Sequence, residues 1–156
     1  MDLKKFIRSI PDYPKKGILF RDITTLIKDE KAFEETINQI VERSKKFEFT
    51  KIAAIESRGF VFASAVSYIL KKPFIMLRKK NKLPSDTHSV DFKLEYGTAT
   101  IEVHKDSINK DDKVLIIDDL IATGGTAEAA AKLVSISNGK VAAFIFVINL
   151  FDLGGC

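Results

Sequence analysis

A chain of 156 residues that is 46% hydrophobic and 29% charged suits one compact domain spanning 1–156 and excludes a wholly disordered chain. Its 25 basic and 21 acidic residues leave a net charge of +4, which fits nucleic acid or a small polyanionic substrate alike. The longest apolar run, 141–148, is too short to cross a bilayer, the charged N-terminus lacks the apolar block of a secretory signal, and the one cysteine, Cys156, excludes an internal disulfide, so a cytoplasmic protein without a membrane partner is expected.

In chain order, residues 33–47 carry apolar side chains at Phe33, Ile37, Ile40 and Val41, with Ser44 continuing the spacing, which predicts an amphipathic helix. The run 51–55 (KIAAI) reads as a buried strand, and 60–70 as a helix. Pro73 interrupts, and 74–77 (FIML) is the next strand. Residues 81–91 are polar, contain Pro84 and show no clear period, so a long loop is expected within a hairpin whose strands come from 83–96 and 98–104. The run 114–117 (VLII) is the clearest buried strand, and the alanine-rich 126–137 has good helix propensity. Asn138 and Gly139 stop that helix, and 141–148 forms the last strand. Strands alternating with helices predict an α/β fold with a mostly parallel central sheet flanked by helices. In such sheets ligands bind beyond the carboxyl ends of the strands, which points to 56–59, 78–82 and 118–126.

Those segments are also the chemically rich ones. The strand 114–117 runs into Asp118 and Asp119, then Leu120, Ile121, Ala122, Thr123, Gly124, Gly125 and Thr126 at the start of a helix. Adjacent carboxylates repel and resist desolvation, so a partner rich in hydroxyl donors or positive charge belongs opposite them. Glycines allow close backbone approach, the helix N-terminus offers unpaired N–H groups, and threonine hydroxyls add donors, a combination that suits one phosphate. The spacing matches a ribose 5-phosphate, with the acids on the 2- and 3-hydroxyls. Neither a Walker loop nor a dinucleotide fingerprint is present. Taken alone, the basic run Lys71, Lys72, Arg78, Lys79, Lys80 and Lys82 reads as a solvated surface.

The segment 114–126 resembles the signature by which type I phosphoribosyltransferases bind phosphoribosyl pyrophosphate (PRPP). Three further stretches narrow the resemblance. Residues 10–24 (IPDYPKKGILFRDIT) are similar to the N-terminal hood of adenine phosphoribosyltransferases, 94–97 (LEYG) to the end of their mobile loop, and 149–155 (NLFDLGG) to their C-terminal core sequence. The resemblance implies the type I fold, with a small hood over about 1–30, a mobile β-hairpin loop over about 79–97, and transfer of the 5-phosphoribosyl group from PRPP to adenine. It also implies a homodimer and Mg2+ held mainly through PRPP and water, with no direct protein ligand. No nucleic-acid partner is implied.

Residue by residue, the resemblance puts Asp118 and Asp119 on the ribose, and Ala122, Thr123, Gly124, Gly125 and Thr126 around the 5-phosphate. Arg58, Arg78, Lys79 and Lys82 fall to pyrophosphate, where the fork of an arginine suits phosphate oxygens, and Ser57 is placed among the PRPP-binding residues. Lys80 has the weakest claim. Phe20 and Ile121 would sandwich adenine while the backbone at Leu19 and Arg21 reads its edge. Glu95 would accept or orient the proton that the imidazole ring of adenine sheds, and Tyr96 would help close the loop. Arg58 and Glu95 are therefore the catalytic candidates. His88 and His104 receive no role. The chain departs from the family pattern in three places: Asn81 stands where glycine is common, Thr25 where proline is frequent, and members usually continue beyond the point where this chain ends. A phosphoribosyltransferase for a 6-oxo purine and a PRPP-sensing regulator without catalysis are the alternatives. The hood and LEYG segments argue against the first, and the lack of room for a DNA-binding segment against the second.

Overall fold

The apolar runs 51–55 and 114–117 become neighbouring central strands. The computed structural model describes residues 8–11, 19–22, 24–56, 58–83, 86–94, 97–118 and 125–147. Strands β1 (Arg8–Pro11) and β2 (Leu19–Asp22) pair antiparallel as a small separate sheet, with Ile10 opposite Phe20. Helices α1 (Thr24–Ile27) and α2 (Glu30–Ser44) follow. Then come β3 (Lys51–Ile55), α3 (Arg58–Leu70) and β4 (Phe74–Lys79), and the hairpin β5 (Thr87–Leu94) and β6 (Gly97–His104). The chain continues through β7 (Lys113–Asp118), α4 (Gly125–Ile136) and β8 (Lys140–Phe146). The main sheet has the order β5-β6-β4-β3-β7-β8. Strands β4, β3, β7 and β8 run parallel, and β6 lies antiparallel to both β4 and β5.

Side chains on a strand alternate between faces, so a strand covered on both sides must be apolar at every position. That is why the central strands read as unbroken runs. Ile52 and Ala54 of β3, with Leu115 and Ile117 of β7, face a cluster completed by Ile37 and Ile40 of α2 and Phe62 and Val66 of α3. Ala53, Ile55, Val114 and Ile116 face the other cluster, with Ile101 and Val103 of β6 and Ala129, Ala130, Leu133 and Val134 of α4. Helices thus cover both faces.

Helix α2 starts earlier than its apolar pattern suggests, because the Asp29 carboxylate accepts a hydrogen bond from the Ala32 N–H at 2.9 Å and caps it. It ends at Ser44, so Phe47 lies outside it. Strand β5 starts at Thr87, inside the stretch expected to be loop; it pairs residue by residue with β6, and Val90 is buried against the α4 cluster. At the far end of α4, Asn138 adopts φ 72° and the Gly139 N–H bonds the Val134 carbonyl at 3.0 Å. A Cβ on Gly139 would stand 2.6 Å from Ile108 Cγ2, so the predicted helix stop is also a packing requirement.

The amino ends of the strands are tied by polar groups. Lys51 Nζ lies 2.8 Å from Asp112 Oδ2, Thr50 Oγ1 donates to Asp112 Oδ1 at 2.9 Å, and the Asn109 N–H donates to Asp112 Oδ2 at 2.8 Å. Burial pushes the Asp112 carboxyl up, but these donors and the Lys51 charge outweigh it and hold the group below its ordinary value.

Candidate functional site

Parallel register brings the carboxyl ends of three strands level. Ile55 pairs with Leu77, and Ala54 with Ile117, so Glu56, Arg78, Lys79 and Asp118 emerge along one edge. Helix α3 begins at Arg58, directly after that edge, and Arg58 is half-buried. Gly59 explains how the helix comes so close. A Cβ there would stand 3.0 Å from the Ile117 carbonyl oxygen and 3.3 Å from Asp118 Oδ1. The Asp118 carboxylate is therefore packed against the first turn of α3, where the positive end of a helix favours an anion. The backbone N–H of Val147 donates to the Asp118 carbonyl at 2.9 Å and fixes the strand end.

On the β4 side, Glu56 Oε1 accepts from Arg78 Nε at 3.2 Å and from the Lys79 backbone N–H at 3.0 Å. The Lys79 N–H does most to hold the Glu56 carboxyl below its ordinary value; burial opposes this, and the bond and charge of Arg78 reinforce it. The next amides are also engaged: Lys80 N–H donates to the Thr100 carbonyl at 3.2 Å, and Asn81 N–H to Glu102 Oε1 at 2.9 Å. Asn81 sits at φ 69°, the left-handed region. Glycine enters that region freely, and asparagine tolerates it better than most residues, which accounts for the departure from glycine there.

The basic run divides along β4. Lys72 lies at the amino end, with Nζ 5.6 Å from the Phe49 ring centroid, while Arg78, Lys79 and Lys82 lie at or beyond the carboxyl end. Helix α4 begins at Gly125, and the backbone of Gly125 and Thr126 forms its N-terminus. A cleft of about 440 Å³ opens between the hairpin and the first turns of α4, lined by Val90, Asp91, Phe92, Thr98, Glu128, Ala129 and Lys132.

Of the residues singled out by sequence, Arg58, Arg78, Lys79 and Asp118 are brought to this edge, with Lys82 just past it. Leu19, Phe20 and Arg21 lie on β2. Leu94 and Gly97 pair at the hairpin end, but Glu95 and Tyr96 lie outside the described residues, as do Ser57, Asp119, Ile121, Ala122, Thr123 and Gly124. Sequence reasoning assigned nothing to Glu56 or Glu102. For Glu56, the available signal was an acid at a strand end just before the arginine. For Glu102, it was an acid between two buried residues of an alternating strand. Among the described residues, no group of three His, Cys, Asp or Glu side chains is placed to hold a metal, and no helix is long and apolar enough to cross a membrane.

The phosphoribosyl transferase domain family matches residues 23–150. The adenine phosphoribosyltransferase of Pelagibacter ubique is 84% identical over 155 residues, covering 99% of this chain and 89% of that one. The chain belongs to the adenine phosphoribosyltransferase family. Among solved structures, the adenine phosphoribosyltransferase of Thermoanaerobacter pseudethanolicus superposes with a TM-score of 0.90 at 47% identity, covering 92% of this chain and 84% of that one. The Saccharomyces cerevisiae enzyme, solved with adenine and an imino-altritol bisphosphate, gives 0.87 at 32% identity over 92% and 84%. The mostly parallel sheet with flanking helices is the type I phosphoribosyltransferase fold.

Proposed function

We propose that this chain transfers the 5-phosphoribosyl group of PRPP to adenine, yielding AMP and pyrophosphate. The observation that carries the reading is family membership at 84% identity, in a chain whose Asp118, Arg58 and Arg78 share one sheet edge. The anomeric C–O bond to pyrophosphate breaks as the bond to adenine forms, and positive charge develops on the ribose ring in an oxocarbenium-like transition state. Asp118 and Asp119 hold the ribose hydroxyls. The backbone and hydroxyls of Ala122, Thr123, Gly124, Gly125 and Thr126 receive the 5-phosphate, aided by the α4 N-terminus. Arg58, Arg78, Lys79 and Lys82 bind the departing pyrophosphate, and Ser57 contributes to binding PRPP. Phe20 and Ile121 enclose the base, with the backbone at Leu19 and Arg21 along its edge. Glu95 takes or orients the proton leaving the imidazole ring, and Tyr96 helps exclude water when the 79–97 loop closes.

Mg2+ suits this donor set, because the Asp118 carboxylate is a hard oxygen donor at the strand end and can engage metal-bound water. Bound Mg2+ would supply neutralising charge on the pyrophosphate oxygens. A homodimer is supported by an apolar surface: α3 exposes Val61, Ile69 and Tyr68, the last 84% exposed, and β4 exposes Met76. The lone cysteine supports a reducing, cytoplasmic setting. Adenine presents a donating amine at C6 where a 6-oxo purine presents an accepting carbonyl, and backbone carbonyls of the hood suit the amine. The deciding test is pyrophosphate release from PRPP with Mg2+ and adenine, hypoxanthine, guanine or xanthine. Release with adenine alone is expected, and release only with a 6-oxo purine would overturn the choice of base. Light scattering on the purified chain should give twice the monomer mass.

A further inference from the structure

A carboxylate beside a pyrophosphate site is at first sight a liability, since like charges repel. Two glutamates nonetheless flank the basic segment that follows β4. Glu56 reaches it from the β3 side and Glu102 from the β6 side, where Glu102 pairs across the ladder with Arg78. Their oxygens accept from alternate backbone amides, Lys79 at 3.0 Å and Asn81 at 2.9 Å, while the amide between, Lys80, bonds the Thr100 carbonyl. Glu102 Oε2 also accepts from Thr87 Oγ1 at 3.1 Å, so this one side chain ties both ends of the intervening loop.

From this arrangement we infer that Glu56 and Glu102 are positioning residues that hold Arg78 and Lys79 in the geometry that grips pyrophosphate. The inference rests on the activity proposed above and deepens it. Glu56 touches the inner Nε–H of a guanidinium that carries five donors, so the terminal fork is not consumed by the contact. The same oxygen fixes the Lys79 amide, and with it the direction in which the strand leaves the sheet. Holding a long side chain in one rotamer before the ligand arrives removes an entropic penalty from binding. Glu102 does the same for the backbone that carries Lys82, by holding the Asn81 amide in its left-handed turn.

Glu56→Gln separates the two effects a carboxylate has here. Glutamine keeps an acceptor for the Lys79 amide but removes the charge that orients Arg78. If the carboxylate merely repels phosphate, the variant binds PRPP and pyrophosphate more tightly; if it positions Arg78, the variant binds them more weakly. The expected result is a rise of about tenfold in KM for PRPP and a matching loss in pyrophosphate affinity by calorimetry, with KM for adenine unchanged and kcat altered much less. Glu102→Ala should raise KM for PRPP in the same selective way. Asp112→Asn, at the opposite end of the sheet, serves as the control: it should lower thermal stability without moving KM. Unchanged or tighter pyrophosphate binding in Glu56→Gln, or equal changes in both substrates' KM values, would overturn the positioning role. A wild-type chain that binds pyrophosphate yet releases none from PRPP with adenine would sink the activity. In that case weaker pyrophosphate binding by Glu56→Gln would still support positioning.

Discussion

Replacing Gly59 with alanine sets two effects of similar size against each other. In a helix, alanine is favoured over glycine by about 1 kcal/mol, so the substitution gains local stability. The added Cβ, however, stands 3.0 Å from the Ile117 carbonyl oxygen, a backbone atom held in the central sheet, and 3.3 Å from Asp118 Oδ1. Relief requires α3 to move outward by about 0.4 Å, and overpacking of this kind costs about 1–3 kcal/mol. The net change in stability should be a loss of about 0–2 kcal/mol, too small to unfold the protein. Function should suffer more. Arg58 and Asp118 sit on the two sides of this contact, and a misplacement on the order of 1 Å lowers rates by about a hundredfold. A shift of a few tenths of an ångström predicts a fall of about tenfold in kcat/KM for PRPP. Urea denaturation with an unchanged m-value, alongside initial rates of pyrophosphate release, measures both terms. A Gly59→Ala variant that gains about 1 kcal/mol and keeps full activity would refute the close approach as the device that sets the site.

Asp112→Asn should destabilise the chain by about 1 kcal/mol at neutral pH in urea titrations, because it removes the carboxylate charge that the partly buried Lys51 ammonium pairs with. The folded-state carboxyls of Asp112 and Glu56 are both depressed, so the stability they contribute is complete above the unfolded carboxylate value of about 4 and is lost as pH falls through their folded values. Stability of the wild type should therefore decline on the acid side, and less steeply in Asp112→Asn; equal slopes would contradict the assignment. At Asn81, φ 69° makes Asn81→Val costly by about 1–2 kcal/mol, whereas Asn81→Gly should leave the urea midpoint nearly unchanged.

How much of this was legible in the sequence follows from which interactions are local. Strands β3 and β7 are covered on both faces, so burial alone writes them as unbroken apolar runs, and 51–55 and 114–117 were read to within a residue at each end. Helix α2 was misplaced toward its C-terminus because its first turn holds only Ala32 in the core, and the start is set by the Asp29 cap rather than by apolar spacing. Among the described residues, strands β1 and β2 pair only with each other, and RSIP and LFRD show neither an unbroken apolar run nor sustained alternation, so nothing in periodicity marks them.

The same distinction runs through the site. Asp118 and the glycine-rich segment after it stand out in the sequence because paired acids and paired glycines following an apolar strand are an unusual combination. Glu56 and Glu102 do not, because neither is unusual in its own neighbourhood. Each acquires meaning only through register: Ile55 opposite Leu77 carries Glu56 to Arg78, and the antiparallel pairing of β4 with β6 sets Glu102 opposite the same residue. Sequence separation between partners, 22 residues for Glu56 and Arg78 and 21 for Asn81 and Glu102, puts these contacts beyond any motif read along the chain. Residues proposed to touch a ligand thus stand out by their own chemistry, while those proposed to aim them become visible only once the strands are paired.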